Sequence, residues 1–346
     1  MTSETAGQRP YSPSFINAFY AWLDRSPIPA WLFFVMLFPL VGLAQHLAAW
    51  RKGALAPGQF NFDLGTAGYW VVGILLIGIY VMKGASQAFD EYRPLLNVTE
   101  DDVARLKYKF VTIPNGPGTA IFLIGVALGA MTGFADMAIA PAIDYVLSPL
   151  RIGIWMLGTG LTVLFLYQVI RQLRQIRAFY AIPERIDLHN LRPLYGFSRY
   201  TAVLGIIVFF YDGLLPLFLD PTAFASKVVY AASLSLTPLI LLMFYLPLSG
   251  VHRRLVSEKE RLLEETNARI ATILERIHSA ALEQRDYEEA AGMRAVYSTL
   301  KDEKETVQDL RTWPWKPGTL AGLVSALLLP AVLVLVREII SRFLGS

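Results

Sequence analysis

The chain has 346 residues, of which 54% are apolar and 17% are charged, and its formal net charge is +3. Soluble domains carry roughly 25% charged residues, so this composition argues against a soluble globular protein. The chain contains no cysteine, which excludes thiol catalysis, disulfide bonds and thiolate metal sites.

The N-terminal segment, residues 1–29, is polar and is interrupted by four prolines. It lacks the basic and then apolar layout of a cleaved signal peptide. We therefore expect this segment to be retained and to lie in the cytoplasm.

Most apolar residues are gathered into blocks of about 20, the length that a helix needs to cross the hydrocarbon of a bilayer. Lipid offers the backbone no hydrogen-bond partners, so each block is expected to be helical. The sequence predicts an all-α polytopic membrane bundle of about seven spans. The predicted spans are Ala30–Trp50, Ala67–Lys83, Thr119–Ile139, Ile152–Ile170, Thr201–Leu219, Val228–Leu248 and Gly318–Val336.

The first six spans make up a predicted membrane domain, residues 30–250, and the seventh falls in a C-terminal segment, residues 313–346. Pro330 interrupts the seventh block, which leaves a re-entrant segment as the alternative to a full span.

The distribution of Lys and Arg predicts the orientation. The loops after the second, fourth and sixth spans hold 23 of the 31 basic residues, and the loops after the first, third and fifth hold 2, 1 and 1. Positively charged loops are retained on the cytoplasmic side. We therefore expect a bacterial-type inner-membrane protein with the long loops in the cytoplasm.

Two of these loops contain local signals. Thr99, with Asp102 three residues later, predicts a capped short helix that ends near the turn-forming residues 115–118. Arg171, Arg174 and Arg177 recur every three residues and so share one helical face. Attraction to the headgroups of anionic membrane lipids accounts for that spacing.

The loop after the sixth span contains a 61-residue insertion without proline, from Val251 to Arg311, with 13 acidic and 11 basic side chains. Apolar or small residues recur in it at three- and four-residue steps, which predicts amphipathic helices. The first series is Leu263, Thr266, Ile270, Ile273, Ile277 and Ala280. The second is Met293, Val296, Leu300, Val307 and Leu310. The two series are out of phase, so a break is predicted near residues 283–286.

The length of the insertion requires the same break. One straight helix would reach roughly 90 Å from the bilayer, whereas the chain must be back at the membrane by about Gly318. The sequence therefore predicts an antiparallel helical hairpin, a coiled coil over residues 251–312, that projects into the cytoplasm. Asp286 with Glu289 three residues later predicts the N-cap of the second helix.

The turn of this hairpin resembles the UVR motif, a short helical hairpin found in bacterial excision-repair nuclease subunits and in some Clp-associated stress proteins. The positions that match are Asp286, Tyr287, Glu288, Ala290, Ala291 and Arg294. The sequence departs from the motif at Ala295, where an acidic residue is usual. The resemblance implies a protein-docking element that pairs with another copy or with a partner's hairpin, through these six residues.

Small residues suit docking because another helix can approach Ala290 and Ala291 closely, and Tyr287 offers a large amphipathic contact. The alternative is a hairpin that buries its apolar stripe internally and serves only as a spacer. The first hypothesis is therefore a membrane scaffold, adaptor or sensor that binds a cytoplasmic partner or another copy of itself, in a possible homo-oligomer.

Ionisable residues within spans point to a second hypothesis, a channel or transporter with the hairpin as a regulatory or oligomerising stalk. The candidates for an intramembrane polar site are His46, Asp136 and Asp212, all near the ends of spans. In the third span, Gly125, Gly129 and Gly133 repeat every four residues, a spacing that predicts close packing against another helix.

Enzyme motifs are absent: the sequence contains no phosphate-binding loop, dinucleotide fingerprint, His-Glu-x-x-His or Gly-x-Ser-x-Gly. No cofactor or metal is expected, and no catalytic residue is predicted. The insertion has a net charge of 11 − 13 = −2, so nucleic acid is not an expected partner.

Overall fold

A computed structural model of the chain describes residues 9–61, 64–65, 68–139, 148–182, 191–214, 224–282, 287–315, 318, 321–322 and 324–325. The regular structure of these residues is helical, with no strand among them and a single isolated bridge between Pro13 and Pro114. The all-α prediction is confirmed for the described residues.

The helices, in chain order, are α1 (Phe15–Arg25), α2 (Ala30–Arg51), α3 (Gly68–Tyr92), α4 (Glu100–Val111), α5 (Asn115–Ile139), α6 (Ser148–Phe179), α7 (Tyr195–Leu214), α8 (Phe224–Leu282) and α9 (Tyr287–Asp309). Short 3-10 turns at Arg93–Leu95 and Arg192–Leu194 follow α3 and precede α7.

Four helical segments of the described chain are long and apolar enough to cross a membrane, fewer than the seven spans predicted. They are Ala30–Arg51, Gly68–Leu95, Asn115–Phe134 and Pro149–Phe179. The fifth and sixth predicted spans overlap α7 and α8, whose side chains are described only in part, and the seventh lies almost wholly outside the described residues.

The outer faces of the four segments are apolar. Val35 on α2 is 61% exposed and Met131 on α5 is 68% exposed. A water-soluble bundle would bury such side chains or replace them with polar ones, whereas lipid solvates them. The exposed apolar faces therefore agree with a membrane protein.

Helix α3 lies at the centre of the bundle, in contact with α2, α6 and α7. Phe89 and Tyr92, near its C-terminal end, are fully buried and lie in the main hydrophobic core. Helix α8 enters the same core through Leu248, Val251 and Leu255. This part of α8 and the candidate membrane helices thus share one packed interior.

The glycine repeat packs as predicted. A Cβ added at Gly125 would lie 2.8 Å from the Cα of Gly160, and one at Gly129 would lie 2.5 Å from the carbonyl oxygen of Trp155. At Gly133 a Cβ would lie 3.3 Å from the Cβ of Trp155. The absence of side chains at these positions allows α5 and α6 to approach backbone to backbone.

The predicted cap of α4 is confirmed, because the Thr99 hydroxyl accepts a hydrogen bond from the backbone N–H of Asp102 at 3.3 Å. The predicted end of this helix is wrong by a few residues. Helix α4 stops at Val111, and residues 115–118 form the first turn of α5 rather than a loop. Proline and glycine fit there because the first turn of a helix does not use its backbone N–H groups internally.

Candidate functional site

Helix α8 is 59 residues long, and α9 packs against it. Two contacts define how they pair. The Nζ of Lys259 donates to the carbonyl oxygen of Leu310 at 3.0 Å and also to that of Gln308. The Nδ1 of His252 lies 2.9 Å from the carbonyl oxygen of Thr312. The earlier residue of α8, His252, thus contacts the later carbonyl group, that of Thr312, so α8 and α9 run antiparallel. Residues 251–282 of α8 together with α9 are called the helix pair below.

The contact face within the helix pair follows most of the predicted stripe. On α8, Thr266 is 2% exposed, and the four isoleucine and leucine positions of the predicted series are partly buried. On α9, Val307 is 3% exposed. The prediction for Val296 is wrong, because this side chain is 47% exposed and Tyr297 is partly buried instead. The buried series on α9 keeps alternating three- and four-residue steps, and Val296 falls outside that phase.

The structure describes only part of the UVR-like set. Asp286 and the predicted break at residues 283–286 lie outside the described residues. Helix α8 ends before this segment, at Leu282, and α9 begins after it, at Tyr287. Tyr287, Glu288 and Ala290 lie in α9, but their side chains are outside the described set. Ala291 and Arg294 are exposed on α9.

The root of the helix pair, where α8 leaves the main core near Val251 and Leu255, is bonded to the chain just past α6 and is stacked on aromatic side chains of the segment that follows α9. Arg254 donates to the carbonyl oxygen of Tyr180, just past the end of α6. Burial raises the pKa of the Tyr180 phenol, which therefore stays protonated and donates to the carbonyl oxygen of Leu194 at 3.0 Å. The His252 ring stacks on Trp313 with centroids 3.8 Å apart, and Trp313 stacks on Trp315 at 4.2 Å.

A buried polar junction lies beside this root, where α6 meets the C-terminal end of α4. The last carbonyl groups of a helix have no partner within it. Here they accept hydrogen bonds from side chains of α6, at 2.5 to 3.3 Å. The donors are Gln168, Arg171, Gln172 and Gln175, and the acceptors are the carbonyl oxygens of Lys109, Phe110, Val111 and Thr112.

The N-terminal segment is attached to this junction. The Tyr11 hydroxyl donates to the carbonyl oxygen of Thr112 at 2.8 Å and accepts from Arg171 at 3.2 Å. Burial raises the pKa of the Tyr11 phenol, and the Arg171 guanidinium opposes that shift. Ser14 N–H donates to the carbonyl oxygen of Ile113 at 2.9 Å. Part of the segment predicted to be a polar tail is thus bonded into the protein.

The three arginines predicted to meet lipid headgroups lie in different surroundings. Arg171 is partly buried and contacts Gln168, Thr112 and Tyr11. Arg174 and Arg177 are exposed. The three-residue spacing alone did not show that Arg171 is bonded within the protein whereas the other two arginines are exposed. The glutamines at positions 168, 172 and 175 were the overlooked signal, because they share the helical face of Arg171 and suit the carbonyl groups of a helix end.

Of the three candidates for an intramembrane polar site, the structure describes the surroundings of one. His46 is 4% exposed, its Nδ1 lies 2.8 Å from the carbonyl oxygen of Gly42, and its Nε2 accepts from the N–H of Asn61 at 3.0 Å. Both ring nitrogens are therefore bonded within the protein, to α2 and to the loop that follows it. The side chains of Asp136 and Asp212 lie outside the described residues.

Within the described part of the chain, no group of three or more His, Asp or Glu side chains is placed to hold a metal ion. The fold and these contacts define the class of the protein: an α-helical protein with several candidate membrane-spanning helices and a long helix pair joined to their core. No protein-family model, curated protein or solved structure matches the chain.

Proposed function

We propose that the protein is an integral membrane scaffold or adaptor whose helix pair projects from the bilayer into the cytoplasm as a coiled-coil hairpin and binds another protein chain. The preferred partner is a second copy of this chain. The observation that supports the proposal most directly is the continuity of α8, a single helix of 59 residues that contributes to the membrane core at its root and to the helix pair beyond it.

The length of the helix pair beyond the core supports projection. Leu262 is the last residue of α8 that packs against the main core in the described chain. Twenty residues separate it from the end of the helix at Leu282, which corresponds to about 30 Å of helix. The outer part of the helix pair therefore has its surface free for a partner.

The charge distribution supports a cytoplasmic position. The loop that contains the helix pair holds 12 of the 31 basic residues, and basic loops stay in the cytoplasm. Arg253 and Arg254 lie at the root of the helix pair, where the chain would leave the bilayer.

One surface of the helix pair suits docking. On α9, the exposed residues between positions 291 and 299 carry a single charge, that of Arg294. The others are Ala291, Gly292, Ala295, Val296, Ser298 and Thr299. On α8, five of the ten exposed residues between positions 264 and 276 are charged, and α9 becomes charged from Lys301 onward. Apart from Arg294, this surface is uncharged, and it is called the uncharged surface of α9 below. Most of its residues are small, so a second helix can approach it closely.

A second copy of the chain fits this surface because a twofold axis places identical patches against each other. Except at Arg294, uncharged side chains would then meet uncharged side chains, and no carboxylate would be buried without a partner. The UVR-like resemblance implies pairing with another copy or with a partner's hairpin, and the first of these is the twofold contact.

The rigid root gives the scaffold a way to respond to the membrane domain. Val251 and Leu255 are almost fully buried in the shared core, and Arg254 is bonded to the chain just beyond α6. A change in the packing of the membrane helices would therefore turn the helix pair as a unit, which is the property a sensor needs.

Site-specific cross-linking of the full-length protein in its membrane tests the proposal. The chain has no cysteine, so single cysteines can be introduced without background. Ala295→Cys places a thiol on the uncharged surface of α9, and Ala268→Cys places one on the charged surface of α8 as the matched control. Both alanines are exposed. We expect a cross-linked homodimer from Ala295→Cys and none from Ala268→Cys, with the cross-link lost when Val296→Glu is added.

Equal cross-linking at the two positions, or a monomeric protein in which both thiols react freely, would show that this surface does not bind a second copy. A cross-link from Ala295→Cys to a different protein, without a homodimer, would keep the scaffold and replace the partner.

A further inference from the structure

The N-terminal helix α1 has two different faces. Ile16, Tyr20 and Leu23 are at most 6% exposed and pack into the main core. On the opposite side, Phe15 is 41% exposed and Trp22 is 55% exposed. Ala18 is exposed between them, and this spacing of three and four residues places all three on one side of the helix. Two large aromatic side chains are thus partly exposed on the outer side of the helix.

Helix α1 is attached to α3 at a defined level. The Tyr20 hydroxyl donates to the carbonyl oxygen of Leu75 at 3.0 Å. A Cβ at Gly78 would lie only 2.1 Å from this hydroxyl oxygen, so the contact requires glycine at position 78. Asp24, at the end of α1, forms an ion pair of 2.8 Å with Lys83. These contacts fix both the position of α1 and its depth along α3.

The depth is that of the membrane interface. Lys83 is the first charged residue of α3, so it marks the level at which this helix reaches the headgroups. Gly78 precedes it by five residues, about 7.5 Å along the helix axis. Helices that lie in the plane of the interface bury their apolar face about 5 to 10 Å into the boundary between headgroups and acyl chains.

The exposed aromatic face of α1 is continuous with the apolar surface of the candidate membrane helices. The ring of Phe15 contacts that of Phe122 on α5 with centroids 4.9 Å apart, and the ring of Trp22 contacts that of Phe33 on α2 at 5.9 Å. Trp31, in the first turn of α2, is 56% exposed. The surface that meets lipid on α2 and α5 therefore extends over α1 without a polar boundary.

Helix α1 lies at the same end of the bundle as the helix pair. Ser14 is bonded to Ile113, Gln172 of α6 is bonded to Phe110 of α4, and Arg254 of α8 is bonded to the chain just past the end of α6. This sequence of contacts connects α1 to the root of the helix pair.

We propose that α1 is an interfacial helix and that the partner of its exposed face is the lipid leaflet on the side of the helix pair. Phe15 and Trp22 insert at the boundary between headgroups and acyl chains, Asp24 and Arg25 stay at the headgroups, and the Tyr20 contact keeps the helix at this depth. This inference does not depend on what the helix pair binds.

Nitroxide labels in proteoliposomes test the inference. A label at Ala18→Cys reports on the exposed face of α1. Ala127→Cys, on the exposed face of α5, is the control for the lipid interior, and Ala268→Cys, on α8 and outside the surface proposed to bind a second copy, is the control for water. All three alanines are exposed. The measurement is the collision rate of each label with oxygen, which is concentrated in lipid, and with a nickel chelate, which is concentrated in water.

We expect the ratio of oxygen to nickel accessibility at position 18 to exceed that at position 268 by several-fold and to lie below that at position 127. A label at Phe15→Cys should give the same result, which guards against a local disturbance at either site. A ratio equal to that at position 268 would show that α1 faces water, and low collision rates with both reagents would show that protein covers it. Either result would overturn the inference.

Discussion

The contact between α5 and α6 permits one stability prediction to be worked from the structure in detail. The change is Gly129→Ala. The added Cβ would lie 2.5 Å from the carbonyl oxygen of Trp155 and 2.7 Å from the Cα of Met156. Side-chain Cβ atoms essentially never come within 3.0 Å of such atoms, so the helices must separate by at least about 0.5 Å at this point. Both obstructing atoms belong to the backbone, so no rotamer change can relieve the clash.

Overpacking of this kind costs roughly 1–3 kcal/mol, and the better helix propensity of alanine returns at most about 1 kcal/mol. We therefore expect Gly129→Ala to lower the free energy of unfolding by about 1–2 kcal/mol. The measurement is the unfolding of the purified protein in detergent, followed by circular dichroism as a denaturing detergent is added.

The matched control is Gly153→Ala, in α6, where a Cβ would meet no atom within 4 Å. This variant should be as stable as the wild-type protein or slightly more so. If the two variants unfold at the same point, the backbone of α5 does not approach α6 as closely as described, and the explanation of the glycine repeat is wrong.

Two further predictions concern buried hydrogen bonds. Gln172→Leu removes the acceptor of the Tyr200 hydroxyl, a contact of 2.6 Å, and leaves that buried group unpaired at a cost of about 1–3 kcal/mol. The double variant with Tyr200→Phe should be less destabilised than the sum of the two single variants, as measured by a double-mutant cycle of unfolding free energies, and simple additivity would contradict the contact. The second prediction is that His46→Phe speeds hydrogen exchange at the backbone amide of Asn61. The Asn61 N–H loses its acceptor, whereas the ring stack on Phe60 is kept. An unchanged exchange rate would contradict the hydrogen bond between Asn61 and His46.

Features encoded by short sequence spacings were predictable. The cap at Thr99 depends on a residue three positions away, and the glycine repeat depends on four-residue steps within one helix. Each signal lies within a few helical turns, where the geometry of the backbone alone determines which residues are neighbours.

Predictions failed where the helical face that is buried, or the group that a side chain contacts, depends on the rest of the molecule. Val296 and Tyr297 are adjacent, and either could have continued the apolar series on α9. The packing of α9 against α8 selects Tyr297, because only that residue continues the alternating three- and four-residue steps. Similarly, turn-forming residues such as Pro117 suit both a loop and the first turn of a helix.

The sequence by itself determined the all-α class and indicated candidate membrane-spanning helices, because apolar blocks of helical length favour lipid and a charged insertion favours water. Only the tertiary structure showed that Arg171 bonds to Tyr11, 160 positions away, rather than facing lipid alone. It also showed that α1 packs on Gly78 of α3. The physical reason is that a polar or aromatic side chain can contact lipid, water or protein. Which of these it contacts depends on the distant segment that the fold brings close to it.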